Sequence, residues 1–309
     1  MSEVNKHISL IGVPTDVGAG HRGASMGPEA LRVAGITQTL EALGLHVKDC
    51  GNLSGPPNPW QRPDDAGYRH LDEVIAWNKL LCEASYQELK AGRLPIMLGG
   101  DHCLGAGSVS AAARYCKEAG KKLLVVWLDA HTDFNTHEIS PTGNIHGMPV
   151  ACLFGHGPKE LTHLAGFCPA LNAQQIKQVG IRSVDAEEKK FVHQAGYEVF
   201  DMRYIDENGM RNTMERVLAK VDSNTHIHVS FDVDFLDPEI APGVGTTVRG
   251  GPNYREAQLC MEMIGDTGLM GSLDIVELNP ALDMRNLTAE IALEMIQSLF
   301  GLNTLVRPK

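Results

Sequence analysis

The sequence predicts an α/β fold: one domain of three layers, with helices on both faces of a mostly parallel central sheet. Three observations point there. Short runs rich in Val, Ile and Leu alternate with longer segments of helical period, the rhythm of β-α-β units. The runs are mostly continuous in apolar character, as strands covered on both faces require. Finally, 43% of the 309 residues are hydrophobic and 21% charged, which allows a large core and excludes a disordered chain. No stretch resembles a linker between independent cores, so residues 1–309 read as a single domain.

The elements follow in order. HISLIGV at 7–13 is the first expected strand, and a helix over 28–43 opens at Pro28, where a missing N–H would be unpaired anyway. After the Pro- and Gly-rich loop 52–67 comes an amphipathic helix over 70–91, then the strand LPIML at 94–98. A helix over 105–118 precedes LLVVWL at 123–128. A second long loop, 135–149, leads toward QVGI at 178–181 and helices over 185–195 and 209–220. HIHVSF at 226–231, a helix over 253–266, SLDIVEL at 272–278 and a helix over 287–300 complete the series. No repeat of 20–50 residues is visible.

Lys and Arg number 27 against 38 Asp and Glu, a formal charge of −11. Such a field repels nucleic acid and anionic lipid, so neither is an expected partner. No apolar stretch reaches the roughly 18 residues of a membrane helix, and the N-terminus lacks the apolar core and cleavage site of a signal peptide. The seven cysteines are odd in number, scattered and without a CxxC pair, which suggests reduced thiols in a cytoplasmic protein.

Chemistry concentrates at strand ends, where open α/β sheets bind ligands. LLVVWL runs into Asp129-Ala130-His131-Thr132-Asp133, and HIHVSF into Asp232-Val233-Asp234. In an extended chain, residues two apart share a face, so Asp129, His131 and Asp133 should converge, as should Asp232 and Asp234. LPIML leads through Gly99-Gly100-Asp101 to His102. Four aspartates in one dry pocket repel one another unless cations neutralise them, and two divalent ions supply that charge. Carboxylates with some imidazole and no thiolate favour Mn²⁺, with Fe²⁺, Co²⁺ and Zn²⁺ behind it. Asp101 reads as a cap, His228 as a hydrogen-bonded core histidine, and His137, His156, His163 and His193 as surface residues.

The segments GVPTDVGAGHRGASMGPEALR, LGGDH, DAHTDFNT, GNIHGMP, SFDVDFLDP, GTTVRGG and DIVELNP resemble the motifs of the ureohydrolases, and within them the arginase family, in that family's order. The resemblance implies an arginase-like fold and a metal-dependent hydrolase that cleaves the guanidinium group of L-arginine to L-ornithine and urea, using a hydroxide that bridges two Mn²⁺ ions. It assigns one Mn²⁺ to His102, Asp129, Asp133 and Asp232, and the other to His131, Asp129, Asp232 and Asp234. It also implies a homo-oligomer, a trimer or hexamer. Glu277 suits a guanidinium fork, and His146 matches the family's proton-transferring histidine. Asn135, Thr142 and Asn144 occupy positions that hold the substrate α-carboxylate, Asp185 and Glu188 those that meet its α-amino group, and Thr246 a hydroxyl position near the guanidinium. Thr142 stands where better-known members carry serine, and Arg249 where an apolar residue is usual. Agmatinase, or a guanidinobutyrase-like enzyme, is the alternative within this class. A single-zinc deacetylase of related fold would lack the second ligand set, and a noncatalytic binder would lack His146 or Glu277.

Overall fold

The computed structural model describes residues 7–59 and 67–305. Parts of two expectations, the N-terminal reading at residues 1–6 and the loop 52–67 at residues 60–66, lie outside the described residues. Eight strands form one sheet: β1 (His7–Gly12), β2 (His46–Asn52), β3 (Leu94–Leu98), β4 (Lys122–Leu128), β5 (Ile176–Ile181), β6 (Glu198–Asp201), β7 (Thr225–Asp232) and β8 (Met270–Val276). Their order is β2-β1-β3-β8-β7-β4-β5-β6, and each neighbouring pair is parallel. Because parallel strands need crossovers, helices intervene: α1 (Gly27–Val33), α2 (Ile36–Ala42), α3 (Leu71–Lys90), α4 (Gly105–Ala119), α5 (Pro149–Leu153), α6 (Lys159–Thr162), α7 (Ala186–Ala195), α8 (Met202–Val217), α9 (Tyr254–Gly265) and α10 (Leu287–Leu299). None of the described helices is long and apolar enough to cross a membrane.

The layers follow from side-chain alternation along the strands. Leu124, Val126 and Leu128 of β4 pack with α1, α2, α8, α9 and α10, whereas Val125 and Trp127 pack with α4 and α5. On β7 the first face is apolar, through Ile227, Val229 and Phe231. The second face carries His226, His228, Ser230 and Asp232, all buried. This polar column under α4 matters for the site.

Two strands, β2 and β6, are absent from the sequence-based reading. Both lie at sheet edges; HVKDCGN is largely exposed and EVFD has four residues, so neither makes an apolar run. The helix expected over 28–43 is two helices, broken at Gly35 with φ 93°. The helix expected over 209–220 begins at Met202 and is interrupted at Gly209, whose φ of 78° and ψ of 152° are not helical. Loop 135–149 contains a 3-10 turn at Ile145–Gly147.

Candidate active site

Four consecutive strands, β3, β8, β7 and β4, release His102, Glu277, Asp232–Asp234 and Asp129–Asp133 from their carboxyl ends. After β3 the chain needs glycine, since a Cβ on Gly100 would lie 1.5 Å from the Thr15 carbonyl oxygen. Asp101 then caps the 3-10 turn His102–Leu104, accepting from the Cys103 N–H at 2.9 Å and from the Gly18 N–H at 2.8 Å.

The aspartates converge, but by a different route from the extended strand expected. β4 ends at Leu128, and Asp133 turns back with φ 50°. Asp232 is the last residue of β7, and Asp234 sits in a 3-10 turn whose N–H donates to Asp232 Oδ1 at 2.8 Å. The resulting geometry is close. His102 Nδ1 lies 3.1 Å from Asp129 Oδ2, 3.2 Å from Asp133 Oδ2 and 3.1 Å from Asp232 Oδ2. His131 Nδ1 lies 3.1 Å from Asp234 Oδ2 and 3.5 Å from Asp129 Oδ1. Asp129 thus turns one oxygen toward each histidine. The Trp127 indole donates to Asp129 Oδ2 at 2.8 Å, and its ring stacks on His102 with centroids 4.1 Å apart.

Above these groups lies a pocket of about 310 Å³, within the range of small-molecule sites. Twelve of the fourteen residues expected from the sequence line it; Asp129 and Asp234 are buried just behind. Glu277, at φ 63°, is buried on the floor, and its Oε1 accepts from the His102 N–H at 2.8 Å and faces His146 Nδ1 at 3.0 Å. Left-handed Asp133 and Glu277 each cost about 1–3 kcal/mol, a strain that concentrates at functional sites. Toward the mouth, the Asn135 amide donates to Asp185 Oδ2 at 3.1 Å, while Asn135 Oδ1 and Asn144 Oδ1 are buried without partners. Thr142 Oγ1 accepts from the Asn144 N–H at 3.2 Å. The Thr246 hydroxyl donates to Asp234 Oδ2 at 2.8 Å.

Comparison with known proteins bears directly on this arrangement. The profile of the Arginase family matches residues 6–301. The chain belongs to the arginase family. It is 45% identical over 308 residues to the arginase of Brucella melitensis, covering 98% of both chains. Among solved structures, the arginase of Bacillus caldovelox superposes with TM-score 0.90 at 40% identity, covering 97% of this chain and all of that one. An Entamoeba histolytica arginase in complex with L-ornithine gives 0.88 at 33%, covering 96% and 99%.

Arginase-family membership makes the protein metal-dependent, and the donors fit divalent ions. Two triads, His102-Asp129-Asp133 and Asp129-His131-Asp234, each bring one ligand atom per residue within 4.8 Å of the others. One Nδ1–H donates to one acceptor, yet three carboxylate oxygens crowd His102 Nδ1, and Asp133 Oδ2 has no hydrogen-bond partner. A cation at this point would satisfy all of them. Without it, protons take its place. Burial lowers the His102 pKa, but hydrogen bonding to Asp129 and the charges of Asp133 and Asp129 outweigh it and raise it to about 9. His131 is likewise raised against burial by Asp234 and Asp129. Burial and neighbouring carboxylates push Asp133 and Asp232 up. Metal binding must displace these protons, so affinity for divalent ions is expected to rise as pH is raised from 6 toward 9. Calorimetry in buffers of different ionisation enthalpy checks this; proton release of zero would refute the assignment.

Three groups escaped the sequence-based reading. Trp127 reads as core from its strand alone. Arg182 donates to the Asp234 carbonyl at 2.7 Å and to the Val248 carbonyl at 2.7 Å, tying together the segment that carries Thr246; nothing in its spacing marks it. His21 lines the pocket from within the motif GVPTDVGAGHRG, which could have revealed it. Glu188 is half of a capping box with Asp185, and its carboxylate accepts from the Thr132 hydroxyl at 2.5 Å and the Phe134 N–H at 2.9 Å, so it also anchors the metal-side loop. His137, expected at the surface, is partly buried, with Nδ1 2.9 Å from the Tyr68 hydroxyl. His156, His163 and His193 are exposed.

Proposed function

We propose that the protein is an arginase, a hydrolase converting L-arginine to L-ornithine and urea, with two Mn²⁺ ions held by His102, Asp129, Asp133, Asp232, His131 and Asp234. The observation that carries this reading is Asp129, whose two oxygens face two different histidines, beneath a pocket that the His146–Glu277 pair also lines. When bound, two such ions would offset the carboxylate charge and lower the pKa of a shared water toward neutrality, providing the nucleophile. Glu277 receives the guanidinium through its carboxylate fork, in an orientation set by the His102 N–H. Because His146 Nδ1 faces Glu277 Oε1 at 3.0 Å, its Nε2 is the atom left to protonate the departing amine. Burial lowers the His146 pKa, but hydrogen bonding to Glu277 and its charge outweigh that and raise it, which favours the protonated ring.

Asn135, Thr142 and Asn144 favour arginine over agmatine. The unpartnered oxygens of both asparagines are buried at the pocket mouth; the Asn144 amide can turn to offer its N–H groups to an α-carboxylate, and the Asn135 amide has a second N–H besides the one it gives to Asp185. Asp185 suits the α-ammonium. These groups would be left unpaired by agmatine, so kcat/KM for L-arginine is expected to exceed that for agmatine by on the order of 10⁴-fold. Urea release from arginine, agmatine and 4-guanidinobutyrate, with Mn²⁺-loaded and chelated protein, tests this; comparable efficiency on agmatine would overturn it.

The chain is read as one domain over 1–309, acting in arginine metabolism. Seven unpaired thiols agree with a cytoplasmic location, and the family resemblance supports a homo-oligomer, a trimer or hexamer.

A further inference from the structure

Beside the metal-binding groups, and outside their ligand set, lies a buried polar cluster that the proposed chemistry does not use. On the face of the sheet under α4, His228 and Ser230 of β7 stand beside Ser272 and Asp274 of β8 in register. All four are at most 3% exposed. Three groups approach one carboxylate oxygen, Asp274 Oδ2: the Ser108 hydroxyl of α4 at 2.5 Å, His228 Nε2 at 3.0 Å and the Ser230 hydroxyl at 3.5 Å. Ser230 Oγ also lies 2.9 Å from His102 Nε2, and His228 Nδ1 lies 2.8 Å from Ser272 Oγ, which meets His226 Nε2 at 2.9 Å.

A serine hydroxyl can donate or accept, so Ser230 alone leaves the His102 tautomer open. A carboxylate only accepts. Asp274 therefore draws the Ser230 hydroxyl hydrogen toward itself, and Ser230 must accept from His102 Nε2–H. That makes Nδ1, which faces Asp129, Asp133 and Asp232, the nitrogen that gives up its proton when an ion binds. The opposite polarity, with Ser230 donating to Nε2, would put a proton on Nδ1 and block coordination there. The same carboxylate requires a proton on His228 Nε2, and Ser272 then donates to His228 Nδ1 and accepts from His226.

We propose that Asp274 is a positioning residue for the metal site, fixing through Ser230 the ring nitrogen that His102 presents to the ion. The proposal rests on His102 being a ligand, as argued above. Asp274→Asn, whose amide can donate to Ser230 and reverse the polarity, is expected to weaken Mn²⁺ binding by about 10- to 100-fold while the folded protein persists by circular dichroism. Ser230→Ala should do the same, and the double variant should lose no more than the worse single one, since both act along one path. Calorimetric Mn²⁺ titration of the full-length protein reads all three. In the metal-free wild type, ¹⁵N shifts should report His228 protonated at Nε2, a readout independent of metal. Failure of the wild type to bind Mn²⁺ would overturn the metal reading of the site. Wild-type affinity in Asp274→Asn, or fully additive losses in the double variant, would overturn the positioning role alone. Should Asp274→Asn not fold, Ser230→Ala decides by the same affinity criterion.

Discussion

Asp129→Ala is expected to empty both metal positions at once and to lower kcat/KM by on the order of 10⁴-fold or more, the scale seen when a catalytic unit loses its nucleophile. Asp129 is the one residue common to the two triads, with Oδ2 3.1 Å from His102 Nδ1 and Oδ1 3.5 Å from His131 Nδ1. Its removal also leaves the Trp127 indole without its acceptor, so folding is to be checked by near-ultraviolet circular dichroism. If Asp232 is the second shared ligand, as proposed, Asp232→Ala should be more damaging than His102→Ala, which would serve one position. Metal content after dialysis against Mn²⁺, read together with urea release, checks both. An Asp129→Ala protein that keeps one tightly held ion would show that the positions are filled independently.

His146→Asn should separate chemistry from binding. The asparagine keeps polarity near Glu277 but cannot carry a proton from Nε2, so turnover is expected to fall by about 10²- to 10⁴-fold. Metal content and arginine affinity should stay close to wild type, because His146 is absent from both donor triads and reaches the site through Glu277. Added imidazole should restore part of the rate by entering the vacated space. Loss of an ion in this variant would make His146 a ligand. Near-normal turnover, with product release shown not to limit the rate, would remove its role in proton transfer.

Much of this was legible beforehand, for identifiable reasons. Buried parallel strands such as LPIML and LLVVWL need apolar residues on both faces, so their composition announces them. The edge strands β2 and β6 face solvent on one side and lack that signature. Helix breaks at Gly35 and Gly209 depend on left-handed backbone that glycine allows but does not demand, so helical periodicity cannot place them. Strand ends carrying Asp and His in close spacing were readable as a cation site, because buried like charges require neutralisation whatever the fold.

The amino-acid sequence by itself determined which side chains could form the site: two histidines and four aspartates after apolar strands, with His146 and Glu277 nearby in type and context. Tertiary structure decided how they meet. Asp129 reaches two histidines because the chain leaves β4 and folds back at Asp133 rather than continuing extended. Glu188 proved to anchor that fold-back as well as line the pocket. The polarity of His102 depends on Asp274, which lies 172 residues away in sequence and is brought close only by the pairing of β7 with β8. Local spacing encodes residue type and period; hydrogen-bond partners across strands arise from register, which no single segment carries.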